Sequence, residues 1–349
     1  MAKRSPTEII KLVKESRERL EDHFNAPAQP KLPTIAPKIA IEAAIPGWQA
    51  KGWYEERGVH NLPPISFQDQ ADCIAECVKA GASIIHTHPR DPDTGLTTPA
   101  DWANRHRHTE CLMEVMDRAH EQVDFVTAHH TWTWDFAKSL ETDYISDTQD
   151  LLEGGTKKGI GNFYVQLAMI MTIPVFRAQQ SVHTAASIQK GVQWMEANNI
   201  KPMFSTESFA IDRFNMNLFA NGIAKWTPYW IAIQEGKHDD DRTFGDPWAA
   251  IETITSIGLV KSLLGEKALI GFHPAGRNWL QVAANAILNG AEFIRVGIED
   301  QFYLYPHRDD ISKNASDTTK IVADFIQALG SEVASPADIR KRANIKLTA

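Results

Sequence analysis

Two short stretches hold the residues best suited to chemistry: IIHTHPRD at residues 84–91 and RVGIED at residues 295–300. Alternate side chains on an extended strand face the same side, so His86 and His88 present two imidazoles close enough to share one cation. Glu299 adds a third, anionic ligand and leaves a coordination position open to substrate or water. Two histidines and one carboxylate suit Zn²⁺, and non-haem Fe²⁺ as an alternative. The same His-X-His can equally be a polar rim feature or a hydrogen-bonding pair. Arg295 and Asp300 read either as a catalytic pair or as a salt bridge that closes the last strand on the first. Glu42 lies in an apolar run, where a carboxylate costs several kcal/mol unless it is paired. It suits substrate, an arginine, or a core ion pair. His129, His130 and His273 add three imidazoles at predicted strand ends. Trp48, Trp53, Trp132 and Trp134 read as packing before pocket wall, and residues 238–242 as a solvated loop.

These residues need a scaffold that brings distant strand ends together. After Pro37 strands and helices alternate. Strands are predicted at 38–45, 82–88, 123–130, 162–172, 201–206, 228–234, 268–273 and 291–297. Helices are predicted at 66–80, 99–121 (capped by Thr98), 146–154, 183–198, 211–221, 247–264, 278–288 and 313–329. Eight pairs of this size indicate an α/β chain folded as a (β/α)₈ TIM barrel, whose active site gathers at the C-terminal strand ends. A doubly wound sheet is the runner-up, but the AAIPG turn at residues 43–47 is no glycine fingerprint. Before the barrel, residues 5–24 carry a helix signature: Ser5 as cap, Pro6 at the first position, Glu8 completing a capping box. Ile9, Val13 and Leu20 form its apolar stripe, and prolines stiffen residues 26–37. The expected organisation is therefore a helical arm with a Pro-rich linker (1–37) and a catalytic barrel (38–349). A stripe on a stiff arm needs cover, so a homo-oligomer joined through the arm is expected.

Composition narrows the class. Thirty-six Lys and Arg against 44 Asp and Glu give a net charge of −8 over 349 residues. That balance argues against nucleic-acid binding. No apolar run is long enough to span a bilayer, and the basic N-terminus leads into no signal core. Three cysteines make no disulfide framework; Cys73 and Cys77, one helical turn apart, read as buried small residues. A cytoplasmic, reduced protein without membrane partners is expected.

The pieces IIHTHPRD (84–91) and IRVGIEDQFY (294–303) resemble the two signatures of the β-keto acid cleavage enzymes, the family of 3-keto-5-aminohexanoate cleavage enzyme. KIAIEAAIPG, PPISFQDQ and GRNWLQVAANAILNGAEFIRVG also fall in the family's order, so the resemblance covers residues 38–335. It implies a (β/α)₈ barrel with zinc on His86, His88 and Glu299, and catalytic roles for Arg295 and Asp300. The implied reaction joins a β-keto acid and acetyl-CoA to give acetoacetate and a new acyl-CoA, with Asp300, oriented by Arg295, as the base. No redox or nucleotide cofactor is implied.

The chain also departs from the family. A Ser-Thr-Gly-Gly type turn helps hold substrate there; here it reads Thr127-Ala128-His129-His130, so Thr127 and His129 join Glu42 as expected substrate-binding residues. The glycine-rich loop over the acyl-CoA is replaced by QEGKHDDDR at residues 234–242. By Coulomb's law its three aspartates make a poor host for a phosphorylated coenzyme. The fifth strand lacks the family's closely spaced acidic residues, with Glu207 as a stand-in. Two rivals remain: a metal-dependent hydrolase or lyase working without CoA on the same barrel, and a non-catalytic metal-stabilised scaffold. The hydrolase would need a bridging lysine on the fourth strand and His-X-His on the first, and the sequence has neither.

Overall fold

The computed structural model describes residues 5–25, 34–47, 49–98, 104–130, 147–172, 175–176, 181–182, 185–207, 219–235 and 247–348. They belong to two units, 1–33 and 34–349. The first contains helix α1 (Pro6–Asn25). Its capping box forms as the sequence predicts: the Ser5 amide donates to Glu8 Oε2 at 2.7 Å, and the Glu8 amide donates to Ser5 Oγ at 3.3 Å. Ile9, Val13 and Leu20 are exposed. No described helix is long and apolar enough to cross a membrane.

The second unit is a closed parallel barrel. Its described strands are β1 (Lys38–Ile45), β2 (Ile84–Thr87), β3 (Val126–His130), β4 (Leu167–Met171), β5 (Lys201–Glu207), β6 (Tyr229–Glu235), β7 (Ala268–Pro274) and β8 (Phe293–Val296). Each pairs with the next, and β8 closes on β1 with Glu42 directly opposite Arg295. Strand alternation divides the core in two. Ala40, Ile84, Val126, Leu167, Met203, Trp230, Leu269 and Phe293 fill the lumen. Ile39, Ile41, Ile85, Ile170, Ile231 and Ile294 face the other way, into the layer of helices. That layer contains α2 (Lys51–Glu55), α3 (Phe67–Lys79), α4 (Arg105–His120), α5 (Asp147–Lys157), α6 (Ala185–Ala197), α7 (Pro247–Leu264), α8 (Trp279–Leu288) and α9 (Asp317–Ala328). Ser66 caps α3 by accepting from the Asp69 amide. Cys73 and Cys77 are buried on that helix, and burial raises both thiol pKa values.

Of the boundaries that differ from the sequence expectation, two have a visible cause. β4 begins at Leu167 rather than at 162, because Asn162 is committed to a turn: its side-chain nitrogen donates to the carbonyls of Asn199 (2.7 Å) and Lys346 (2.8 Å). Thr98 does not cap α4, which starts at Arg105; the Thr98 amide is held by the Pro89 carbonyl in the loop after β2. The predicted helix at 211–221 lies almost wholly outside the described residues.

The N-terminal mouth of the barrel is plugged. A short strand, β9 (Glu332–Val333), pairs with the start of β1 and leads into α10 (Pro336–Ala343). Ile339, Ala343 and Ile345 from this segment join the lumen core. Arg340 locks it in place, donating to both Asp124 oxygens (2.7 and 2.8 Å) and to Gln166 Oε1 (2.9 Å). Chemistry is thereby left to the opposite mouth. Arg340→Ala should lower the unfolding free energy by roughly 1–3 kcal/mol, the worth of charge-assisted hydrogen bonds lost from a half-buried fork. Urea denaturation reads this, and an unchanged midpoint would show that α10 does not brace the barrel.

Candidate active site

The C-terminal end of β2 turns His86 into the lumen, with His88 beyond it. The Nδ1 of His86 lies 3.2 Å from the Ala128 carbonyl. A carbonyl only accepts, so Nδ1 carries the proton and Nε2 presents its lone pair. That Nε2 lies 3.4 Å from Glu299 Oε2, and His88 Nε2 lies 3.6 Å from Glu299 Oε1. Burial lowers the pKa of His86 well below its usual value, helped by Arg295 and His88; burial also lowers that of His88, against the pull of Glu299. Two neutral imidazoles and a carboxylate, all ligand atoms within 4.8 Å of one another, form a donor set for a divalent metal. The zinc implied by the family resemblance fits these residues.

Glu299 reaches this position because β8 stops at Val296. Gly297 has φ +142°, and a Cβ there would strike the backbone of Ala44. The chain then turns, with the Asp300 and Gln301 amides donating to the Gly297 carbonyl (3.1 and 2.9 Å). This wraps two adjacent carboxylates around one guanidinium. Arg295 donates through Nη2 to Glu299 Oε1 at 2.8 Å, and through Nε to Asp300 Oδ2 at 2.7 Å. Its Nη1 lies 3.7 Å from Glu42 Oε1 across the closing seam. Burial opposes the charge on Arg295, but Asp300, Glu299 and Glu42 together raise its pKa. Glu42 is fully buried, 3.5 Å from His273 Nε2, and no described group hydrogen-bonds to its oxygens.

The structure thus gathers His86, His88, Glu299, Arg295, Asp300 and Glu42 at one mouth. Thr127 and His129 do not join them. On β3 it is Val126 and Ala128 that face the lumen, so the odd-numbered residues point toward the helices. The Thr127 hydroxyl donates to the Phe163 carbonyl and accepts from the Gln166 amide, both at 3.0 Å. The Nε2 of His129 lies 2.8 Å from Asp147 Oδ2, and His108 Nε2 lies 3.5 Å from the same oxygen. Sequence reasoning missed His108 and Asp147, which no motif spacing marks.

The remaining residues singled out earlier are structural or undescribed. Arg90 joins the loops after β1 and β2, donating to the carbonyls of Gly47 (2.7 Å) and Gln49 (2.9 Å). Trp53 packs edge-on against Tyr54 and Phe302. Trp48, Trp132, Trp134 and the acidic residues at 239–241 lie outside the described residues, as do the side chains of His130 and Glu207.

Residues 38–345 match the profile of the family described as beta-keto acid cleavage enzyme. A relative from Rhizobium meliloti (strain 1021), 3-dehydrocarnitine:acetyl-CoA trimethylamine transferase, is 26% identical over 296 residues, covering 82% of this chain and 90% of that one. Among solved structures, the ternary complex of ObcA with a C4-CoA adduct and oxalate superposes with a TM-score of 0.57 at 13% identity, covering 81% of this chain and 67% of that one. Apo ObcA superposes at 0.58 with 15% identity, covering 82% and 66%. At such identities the two structures show a shared fold.

Buried neutral histidines carry a pH signature. Burial pushes His108 and His120 down from 6.5 to about 4. Below pH 6.5 the unfolded chain therefore binds protons that the folded chain does not, and stability falls with pH. Chelator-treated protein should lose thermal stability progressively from about pH 6.5 to about pH 4. A melting temperature flat across that window would show that these imidazoles are protonated in the fold.

Proposed function

The chain belongs to the β-keto acid cleavage enzyme family, and from that membership we propose that it cleaves a β-keto acid with acetyl-CoA. The products are acetoacetate and a new acyl-CoA. The observation that carries this reading is the gathering of Arg295, Asp300, Glu299 and Glu42 beside two neutral histidines. Charge in the stretch 234–242 argues against a phosphorylated coenzyme; acetyl-CoA is retained because the Rhizobium relative is an acetyl-CoA-dependent transferase by name.

His86, His88 and Glu299 would hold Zn²⁺. When bound, the ion supplies Lewis-acid polarisation of the keto group. Asp300, fixed at 2.7 Å by Arg295 Nε, takes a proton from the carbon between the keto and carboxylate groups. That carbon bonds to the acetyl carbon as the thioester breaks. The coenzyme sulfur then bonds to the keto carbon, and the bond between keto carbon and α-carbon breaks. Asp300 returns its proton to the departing acetoacetate. Arg295 holds Asp300 in one orientation throughout, and Glu42 offers a buried acceptor to a donor group on the substrate.

Two neighbours should separate cleanly. Glu299→Gln should lose both metal and activity, since a neutral amide is a poor ligand for a dication. Asp300→Asn should keep the metal and bind keto acid, but lose turnover by roughly two to four orders of magnitude. Metal content and initial rates of acyl-CoA formation, over a panel of β-keto acids, check both. An Asp300→Asn enzyme with near wild-type turnover removes the base. A metal-loaded wild type that forms no acyl-CoA from any keto acid removes acetyl-CoA. The exposed stripe of α1 supports a homo-oligomer assembled through the arm, so deleting residues 1–36 should lower the mass seen in light scattering. An unchanged mass means the arm is not the joint.

A further inference from the structure

His108, His129 and Asp147 form a second cluster of metal-binding groups, and the active site makes no use of it. Helix α4 supplies His108 from its first turn, β3 supplies His129 near its end, and α5 supplies Asp147 as its first residue. All three are buried, and their ligand atoms lie within 4.8 Å of one another. We propose that they bind a second divalent ion, zinc, in a sealed site behind β3.

Hydrogen-bond direction supports this. The Nδ1 of His108 lies 3.0 Å from the Thr98 carbonyl and must donate to it. In a neutral ring, Nε2 then bears a lone pair, and it points at Asp147 Oδ2 from 3.5 Å. Two acceptors facing each other in a dry interior repel unless a proton or a metal ion lies between them. The separation is also informative. A charge-assisted N–H···O bond would close to about 2.7–2.9 Å, as His129 Nε2 does at 2.8 Å from the same oxygen; the proton on that nitrogen is released when the ion enters. Two donor atoms, each ~2.0–2.1 Å from one tetrahedral ion, sit about 3.4 Å apart.

Fixed charge and free donors agree. Among the described residues, Asp147 has no lysine or arginine partner, and its Oδ1 and His108 Nε2 accept no hydrogen bond. Oδ1 provides the fourth donor of a closed, structural site. No substrate reaches a cluster buried this completely, so the ion braces β3 against α4 and α5. His108 and His88 have ring centroids 6.3 Å apart, so the brace backs the active-site centre.

Zinc stoichiometry tests the proposal independently of turnover. Full-length protein is stripped with a chelator, reloaded with excess zinc, desalted and analysed by mass spectrometry for zinc per chain. Wild type should hold two ions, His86→Ala one, and His108→Ala one. Asp147→Asn, which keeps the side-chain shape, serves if His108→Ala does not fold, and should also hold one. Wild type saturating at one ion that His108→Ala or Asp147→Asn retains overturns the second site and leaves the His86, His88 and Glu299 centre intact. One ion lost in His108→Ala or Asp147→Asn but kept in His86→Ala supports the second site and overturns the first ligand assignment.

Discussion

A single buried guanidinium organises the mouth of this barrel. Arg295 stands where β8 closes on β1, and three carboxylates converge on it: Asp300 and Glu299 by hydrogen bonds, Glu42 across the seam at 3.7 Å. Removing a charge from water costs several kcal/mol unless the geometry of its partners is good. A lysine could not meet these carboxylates, because its point charge lacks the planar fork that serves Nε, Nη1 and Nη2 in three directions. Closure of the sheet and construction of the site are therefore one event.

Charge bookkeeping explains why the mouth calls for a cation. One guanidinium set against Asp300, Glu299 and Glu42 leaves a formal charge of −2, in a region where His86 and His88 are held neutral by burial. A dication on the histidine side of Glu299 would restore neutrality without displacing Arg295. Asp147 poses the same problem on a smaller scale. It is a fully buried carboxylate with no lysine or arginine partner among the described residues.

Much of this was legible in the amino-acid sequence because strand ends in a closed barrel all face one mouth. His86, His88, Arg295, Glu299, Asp300 and Glu42 needed only assignment to strand ends, and an error of one residue in a boundary left them in place. The failures have a different physical origin. Thr127 and His129 are expected to bind substrate from their place near the end of the third strand, but facing depends on parity, and Val126 and Ala128 take the inward positions. His108 and Asp147 sit at helix N-termini, where orientation follows from how the helix docks. The start of β4 was misjudged because apolar residues before Leu167 pack equally well in a turn, once Asn162 satisfies the carbonyls of Asn199 and Lys346.

The seam and the site meet at Gly297. Had β8 continued as a strand, Glu299 and Asp300 would face opposite sides and could not share Arg295. The turn at φ +142° bends the chain back instead, tightened by the Gln301 side chain, which accepts from the Gly297 amide at 2.9 Å. Close approach is as necessary as the backbone angle. Any Cβ at this position would meet the carbonyl and amide of Ala44, two residues beyond Glu42 on β1. Relief of that clash would move the exit of β8 away from β1, pulling Arg295 from Glu42 and carrying Glu299 away from the histidines. A glycine with no chemistry of its own thus sets where Asp300 and Glu299 stand relative to His86 and His88.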